Sequence, residues 1–190
     1  MIDLLRLDRR LVLGAAGALS LLGGMFQSSA RAAAAPTQGG AAPEADALRT
    51  EFVLEAHVNI AAALTVGESA LGLRRLIPIT GGSFKGPRLQ GEVVPGGADY
   101  QLVRPDGVTS IEARYTLRVS DGSLIYIANR GILVRAVEGP APAPAYVRTV
   151  PEFEAPIGPH DWLNKSVFLG TLDGSQFAKG FVVIRVYRVV

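Results

Sequence analysis

The sequence predicts an all-β domain over residues 51–190: a single antiparallel β-barrel of about eight to ten strands. Three observations carry that expectation. Apolar and polar residues alternate with a period of two in run after run, the mark of strands with one face in a core and one in water. Asp-Gly pairs stand between the runs, at Asp106-Gly107, Asp121-Gly122 and Asp173-Gly174, and supply the positive φ that tight hairpin turns demand. Strands at such short spacing suit a sandwich or a barrel, and closure into a barrel removes exposed edges.

The elements follow in order. Residues 1–35 read as a secretory signal peptide: Arg6, Arg9 and Arg10, an apolar run from Leu11 to Phe26, then small residues from Ser28 to Ala34. Arg9-Arg10 before that run resembles a twin-arginine export motif, and the run falls short of the ~20 residues a membrane span needs. The expectation is cleavage between Ala30 and Ala35, a periplasmic product and no stable membrane anchor. Residues 36–50, rich in Ala, Gly and Pro, read as a flexible linker. Strand-like alternation then begins at Glu51, with Phe52, Leu54, Ala56, Val58 and Ile60 on one face and Val53, Glu55, His57 and Asn59 on the other. It recurs at Tyr100–Val103, Ile111–Val119, Leu124–Asn129, Ser166–Gly170 and Phe181–Val189. The glycines of Gly81–Gly86 have no helix after them to make a phosphate cradle, and are read as bulges and close strand approach. Gly139–Pro144 is a Pro/Ala loop too stiff for a sheet, and only Gly158–Lys165 suggests a short helical turn.

Composition excludes several chemistries. The 190 residues hold no cysteine and two histidines, His57 and His160, so thiol nucleophiles, disulfides and multi-His or Cys metal sites are out. No G-x-S-x-G elbow supports a serine hydrolase. The net charge of +2 belongs to the signal: losing residues 1–32 removes four of 19 basic and two of 17 acidic side chains, leaving fifteen of each. A neutral mature chain gives no reason to expect nucleic-acid binding. About 140 ordered residues bury roughly two-thirds of their unfolded surface, enough for a core, and a barrel of this size has room for one small ligand.

Four stretches carry a family resemblance: PITGGSFKGPRLQGEVVPGGADYQLVRPDG (78–107), ARYTLRVSDGSLIYIANRG (113–131), VRTVPEFEAP (147–156) and WLNKSVFLGT (162–171). Together they resemble the family of domain of unknown function 3237, also called UPF0311. The resemblance implies a compact antiparallel barrel of the calycin or lipocalin kind. It also implies cofactor-independent lyase chemistry on lignin-derived aromatic compounds of the phenylcoumaran type. Tyr100 departs from the usual pattern of that family, many members of which have Trp after the Asp, so a ring-stacking role there passes to a smaller ring with a hydroxyl.

Such chemistry needs a base, a donor or cation for a developing oxyanion, and an apolar slot for a ring. Asp99, after Gly96-Gly97, is the candidate base, against a turn-capping role. Glu92 is the second carboxylate, against a satisfied buried acid. Arg114 shares a face with Glu112, Thr116 and Arg118; it is a phenolate clamp if that face points inward and a solvated charge if it points out. Tyr126, on one face with Arg130, is a phenolate donor or an amphipathic core ring. Tyr100, Arg130, Trp162 and Asn164 complete the expected substrate-binding set, with Trp162 either lining the mouth or plugging one end. No metal or cofactor is expected; the expected ligand is a small aromatic or apolar molecule. The competing readings are a binding barrel without catalysis and a structural, oligomeric barrel. A homodimer through an edge or the Val137–Ala145 loop also fits.

Overall fold

The computed structural model describes residues 47–138 and 145–190. The expected signal, most of the linker and the Gly139–Pro144 loop lie outside the described residues. Nine strands form the domain: β1 (Thr50–Ile60), β2 (Leu64–Ser69), β3 (Gly72–Lys85), β4 (Gln90–Val103), β5 (Thr109–Val119), β6 (Leu124–Val134), β7 (Tyr146–Glu154), β8 (Phe168–Asp173) and β9 (Phe181–Val189). All pairings are antiparallel, in the order β1-β9-β8-β7-β6-β5-β4-β3, and a β1–β3 pairing closes eight strands into a barrel. The remaining strand, β2, pairs only with β3 and lies outside the ring.

Alternation sets which side chains face inward. On β5, Thr109, Ile111, Ala113, Tyr115, Leu117 and Val119 are buried, while Glu112, Arg114, Thr116 and Arg118 face out. The first strand obeys the same rule with one slip. Its register against β9 shifts between Phe52 and Leu54, so Val53 turns inward and Phe52 stays 43% exposed, the reverse of strict alternation. Such a bulge inserts one residue and flips everything before it.

The hairpins β4–β5 and β5–β6 turn at Asp106-Gly107 and Asp121-Gly122, with φ of +83° and +90° at the glycines. Each Asp accepts the backbone N–H two residues on, from Val108 at 3.1 Å and Ser123 at 2.9 Å. Asp173 does the same for Ser175 at 2.8 Å, but the β8–β9 connection is a longer loop with a 3₁₀ turn at Phe177–Lys179. The close approach expected at the glycine run is also present. A Cβ on Gly82 (φ +139°) would sit 2.1 Å from the His57 carbonyl, where β1 and β3 close the ring.

One end of the barrel is solid. Leu54, Phe84, Leu117, Ile125, Ile127, Phe153 and Phe168 pack there. The 3₁₀ turn Asp161–Lys165 covers them, with Leu163 buried and Trp162 tilted against Phe168 at 6.1 Å. His160, 8% exposed, fastens this turn to the β5–β6 hairpin through Asp121 Oδ2 at 2.7 Å.

Candidate functional site

The opposite half of the lumen holds a cavity of about 250 Å³. Its walls are mainly aliphatic, from Val58 and Ile60 on β1, Ile77 and Ile79 on β3, and Val182 and Ile184 on β9. Leu172, Gly174 and Phe177, from the β8–β9 region, line its outer end. Against this apolar background stand Arg75, Asp99, Gln101, Tyr115 and Asn129.

Strand register places these polar groups. Ile77, Asp99, Ala113, Asn129 and Pro151 form one rung across β3 to β7, each paired with the next. The neighbouring rung brings Arg75 opposite Gln101. β4 reaches this register because it carries two extra residues between Val94 and Ala98 relative to β5. The extra segment passes over Tyr115, and Gly97 makes that possible: a Cβ there would lie 2.6 Å from the Tyr115 Cβ. Gly96-Gly97 is therefore a bulge inside β4, and Asp99 sits within the strand.

The hydrogen bonds fix a chain. Arg75 Nε donates to Gln101 Oε1 at 2.8 Å, and Gln101 Nε2 donates to Asp99 Oδ2 at 2.6 Å. The Glu112 backbone N–H donates to Asp99 Oδ1 at 3.0 Å. Burial raises the Asp99 carboxyl above its ordinary value, opposed by the Gln101 amide, the Glu112 N–H and the Arg75 charge. Burial likewise pushes the Tyr115 phenol up. Asn129, 1% exposed, leaves its Oδ1 without a partner among the described residues. A buried polar atom of this kind costs stability unless a ligand or water meets it. A carboxyl inclined to exchange a proton, a carboxamide with spare capacity and a phenol thus share one apolar enclosure. That set can accept a proton and hold the oxygen that becomes negative. Among the described residues no three His, Asp or Glu side chains converge as metal ligands.

Asp99 alone of the eight expected site residues lines this cavity. Glu92 is on the outer face of β4, paired with Arg118 Nη1 at 3.1 Å, and is no buried acid. Arg114 takes the solvated of its two faces and bonds Glu112 Oε1 at 2.6 Å. Tyr126 stands outside, cross-strand from Thr116 and Glu154. Arg130 is outside as well, reaching Glu152 at 3.3 Å, and Tyr100 is 46% exposed. The inward clamp of Arg114 and Tyr126 does not form, because period-two alternation from Ile111, Ala113, Ile125 and Ile127 fixes both strands' inner faces. Trp162 belongs to the plugged end, with the Arg88 guanidinium 4.1 Å over its ring. Asn164 exchanges two 2.8 Å bonds with the Ala155 backbone, which tie the plug to β7.

Sequence reasoning passed over Arg75, Gln101, Tyr115 and Asn129. Asn129 carried a usable signal, a carboxamide on the same strand face as Ile125 and Ile127. Arg75 carried less, because β3 is interrupted by Pro78 and the glycine run.

Comparison with known proteins agrees with this architecture. Residues 48–189 match the family described as "Protein of unknown function (DUF3237)". A UPF0311 protein of Rhodopseudomonas palustris is 36% identical over 133 residues, 65% of this chain and 87% of that one. The crystal structure of a conserved protein of unknown function from the same species superposes with a TM-score of 0.68 at 35% identity, covering 76% and 99% of the two chains. A β-barrel-like protein from Acinetobacter baumannii gives 0.67 at 28% identity, covering 76% and 97%. A structure described as an enzyme from Penicillium herquei shares the fold at 22% identity and a TM-score of 0.58, covering 75% and 95%.

Proposed function

We propose that this chain, which belongs to the DUF3237 family, is a small-molecule-active barrel that performs cofactor-independent acid/base chemistry, of the lyase type, on an aromatic compound held in its lumen. The observation that carries the reading is Asp99: a largely desolvated carboxyl, held by Gln101 and the Glu112 N–H, in a cavity whose walls are otherwise mainly aliphatic. Asp99 takes a proton from a hydroxyl or an acidic C–H of the ligand. The electron pair released expels the leaving fragment, the Tyr115 phenol stands in the same cavity to donate to the oxygen that gains charge, and the unpartnered Asn129 Oδ1 can accept from a hydroxyl of the ligand.

The size of the cavity bears on the substrate. About 250 Å³ lies below the ~300–1,000 Å³ of drug-sized pockets and above the ~150 Å³ that encloses a benzene. One ring fits inside, and a second ring of a phenylcoumaran-type molecule would extend past Phe177 into solvent. The proposed compartment is the periplasm, on the strength of Arg9-Arg10 and the small residues before Ala35.

The test is incubation of the chain, without added cofactor, with a panel of phenylcoumaran and single-ring aromatic compounds, products being read by mass spectrometry. Turnover that falls about 10²-fold or more in Asp99→Asn supports the reading. Turnover indifferent to that change removes Asp99 from the reaction, and binding with no turnover across the panel makes the barrel a carrier.

A further inference from the structure

Arg75 is the one cation lining the cavity among the described residues. It is half-buried on β3 and spends only its Nε, on Gln101. Its two terminal nitrogens make no hydrogen bond and no ion pair among the described residues. Arg104, Arg114, Arg118, Arg130 and Arg185 each hold a carboxylate on the outer surface. The acid nearest in register, Asp99, does not neutralise Arg75 by contact: Gln101 stands between them, and both Asp99 oxygens already accept bonds.

A guanidinium keeps its charge wherever it is placed, and the fold holds this half-buried one at the cavity with its fork unused, beside an apolar space for one ring. Parallel N–H groups on the two terminal nitrogens match the two oxygens of a carboxylate.

We infer that the cavity is a site for an aromatic carboxylate, whose carboxylate is gripped by the Arg75 terminal nitrogens while its ring fills the space between Ile77, Ile79, Val58 and Ile184. This rests on the cavity being the functional site proposed above, and it adds the class of substrate. Asn129 is left for the other end of the ligand.

The experiment is calorimetric titration of the full chain with benzoate and with benzamide, which has the same shape and no charge. Benzoate is expected to bind at least about tenfold more tightly, the scale of one charge-assisted bidentate pair. In Arg75→Met that preference disappears, and in Arg75→Lys, which keeps the charge and loses the fork, part of it returns. A thermal melt of each variant accompanies the titration; if Arg75→Met does not fold, Arg75→Lys and the benzoate-to-benzamide ratio of the unsubstituted chain decide. Equal affinity for the two probes, or a preference that survives Arg75→Met, overturns the proposal. Either result leaves the acid/base reading standing if Asp99-dependent turnover of neutral aromatics is seen. Failure of both probes to bind overturns the proposal and the cavity reading together.

Discussion

Asp99 and Asn129 lie on one rung of the barrel, two strands apart, with only the methyl group of Ala113 between them. Two strand spacings put their backbones about 10 Å apart, and the small residue at the centre keeps the space between them open. Ala113→Leu is therefore expected to fill it. Overpacking costs on the order of 1–3 kcal/mol, which a melt will register, but the larger effect is on the ligand: aromatic binding measured by titration drops at least about tenfold.

Gln101 acts through its neighbour and is a positioning residue. Its amide lowers the Asp99 pKa, against the burial that raises it. Gln101→Leu removes that opposition, so the ionised carboxylate appears only at still higher pH. The acidic limb of the rate profile moves upward, and the maximal rate falls by about tenfold or less because Asp99 loses one of two anchors. A lower rate with an unmoved limb would mean that Gln101 only packs.

Arg114→Ala is expected to change turnover by less than about twofold. Its partner is Glu112 on the outer wall, at a side-chain exposure of 47%, where ion pairs contribute little. Rates of the two proteins under identical conditions check this.

The plugged end carries a pH signature of its own. The Asp121 carboxyl is held down at about 2, first by the Ser123 N–H and then by His160, against an ordinary 3.8. A depressed acid stabilises the fold fully above its ordinary pKa, and that stability drains away as the pH falls toward the folded value. Asp121→Ala is thus expected to lower Tm at neutral pH by about 2–4 °C, with the gap to the unsubstituted chain narrowing between pH 4 and pH 2. Melts across that range test it; a constant gap would assign the effect to packing alone.

Much of the barrel was legible because its strands obey a period of two and its hairpins carry Asp-Gly. β9 coincides with the expected Phe181–Val189, and the helical turn falls inside Gly158–Lys165. Three strands were hidden. β3 is broken up by Pro78 and its glycines, and β2 pairs on one side only. β7 places Tyr146 and Val150 outside and Pro151 inside, which blurs its alternation. The proline is tolerated because β7 pairs with β8 only at Arg148 and Thr149. The site was less legible, for a geometric reason. Charged residues on β5 and β6 drew attention to the outer wall, whereas the cavity depends on which few polar side chains interrupt an apolar face, and on the bulge in β4 that brings Asp99 opposite Ala113.

The most direct measurement is a carbon-13 NMR titration of the Asp99 carboxyl, assigned by its loss in Asp99→Asn, with and without a cavity-filling aromatic ligand. A midpoint above the ordinary 3.8 that moves when the ligand enters is the expected result. A midpoint at or below 3.8 that the ligand leaves unchanged would contradict the placement of Asp99 at the centre of the site.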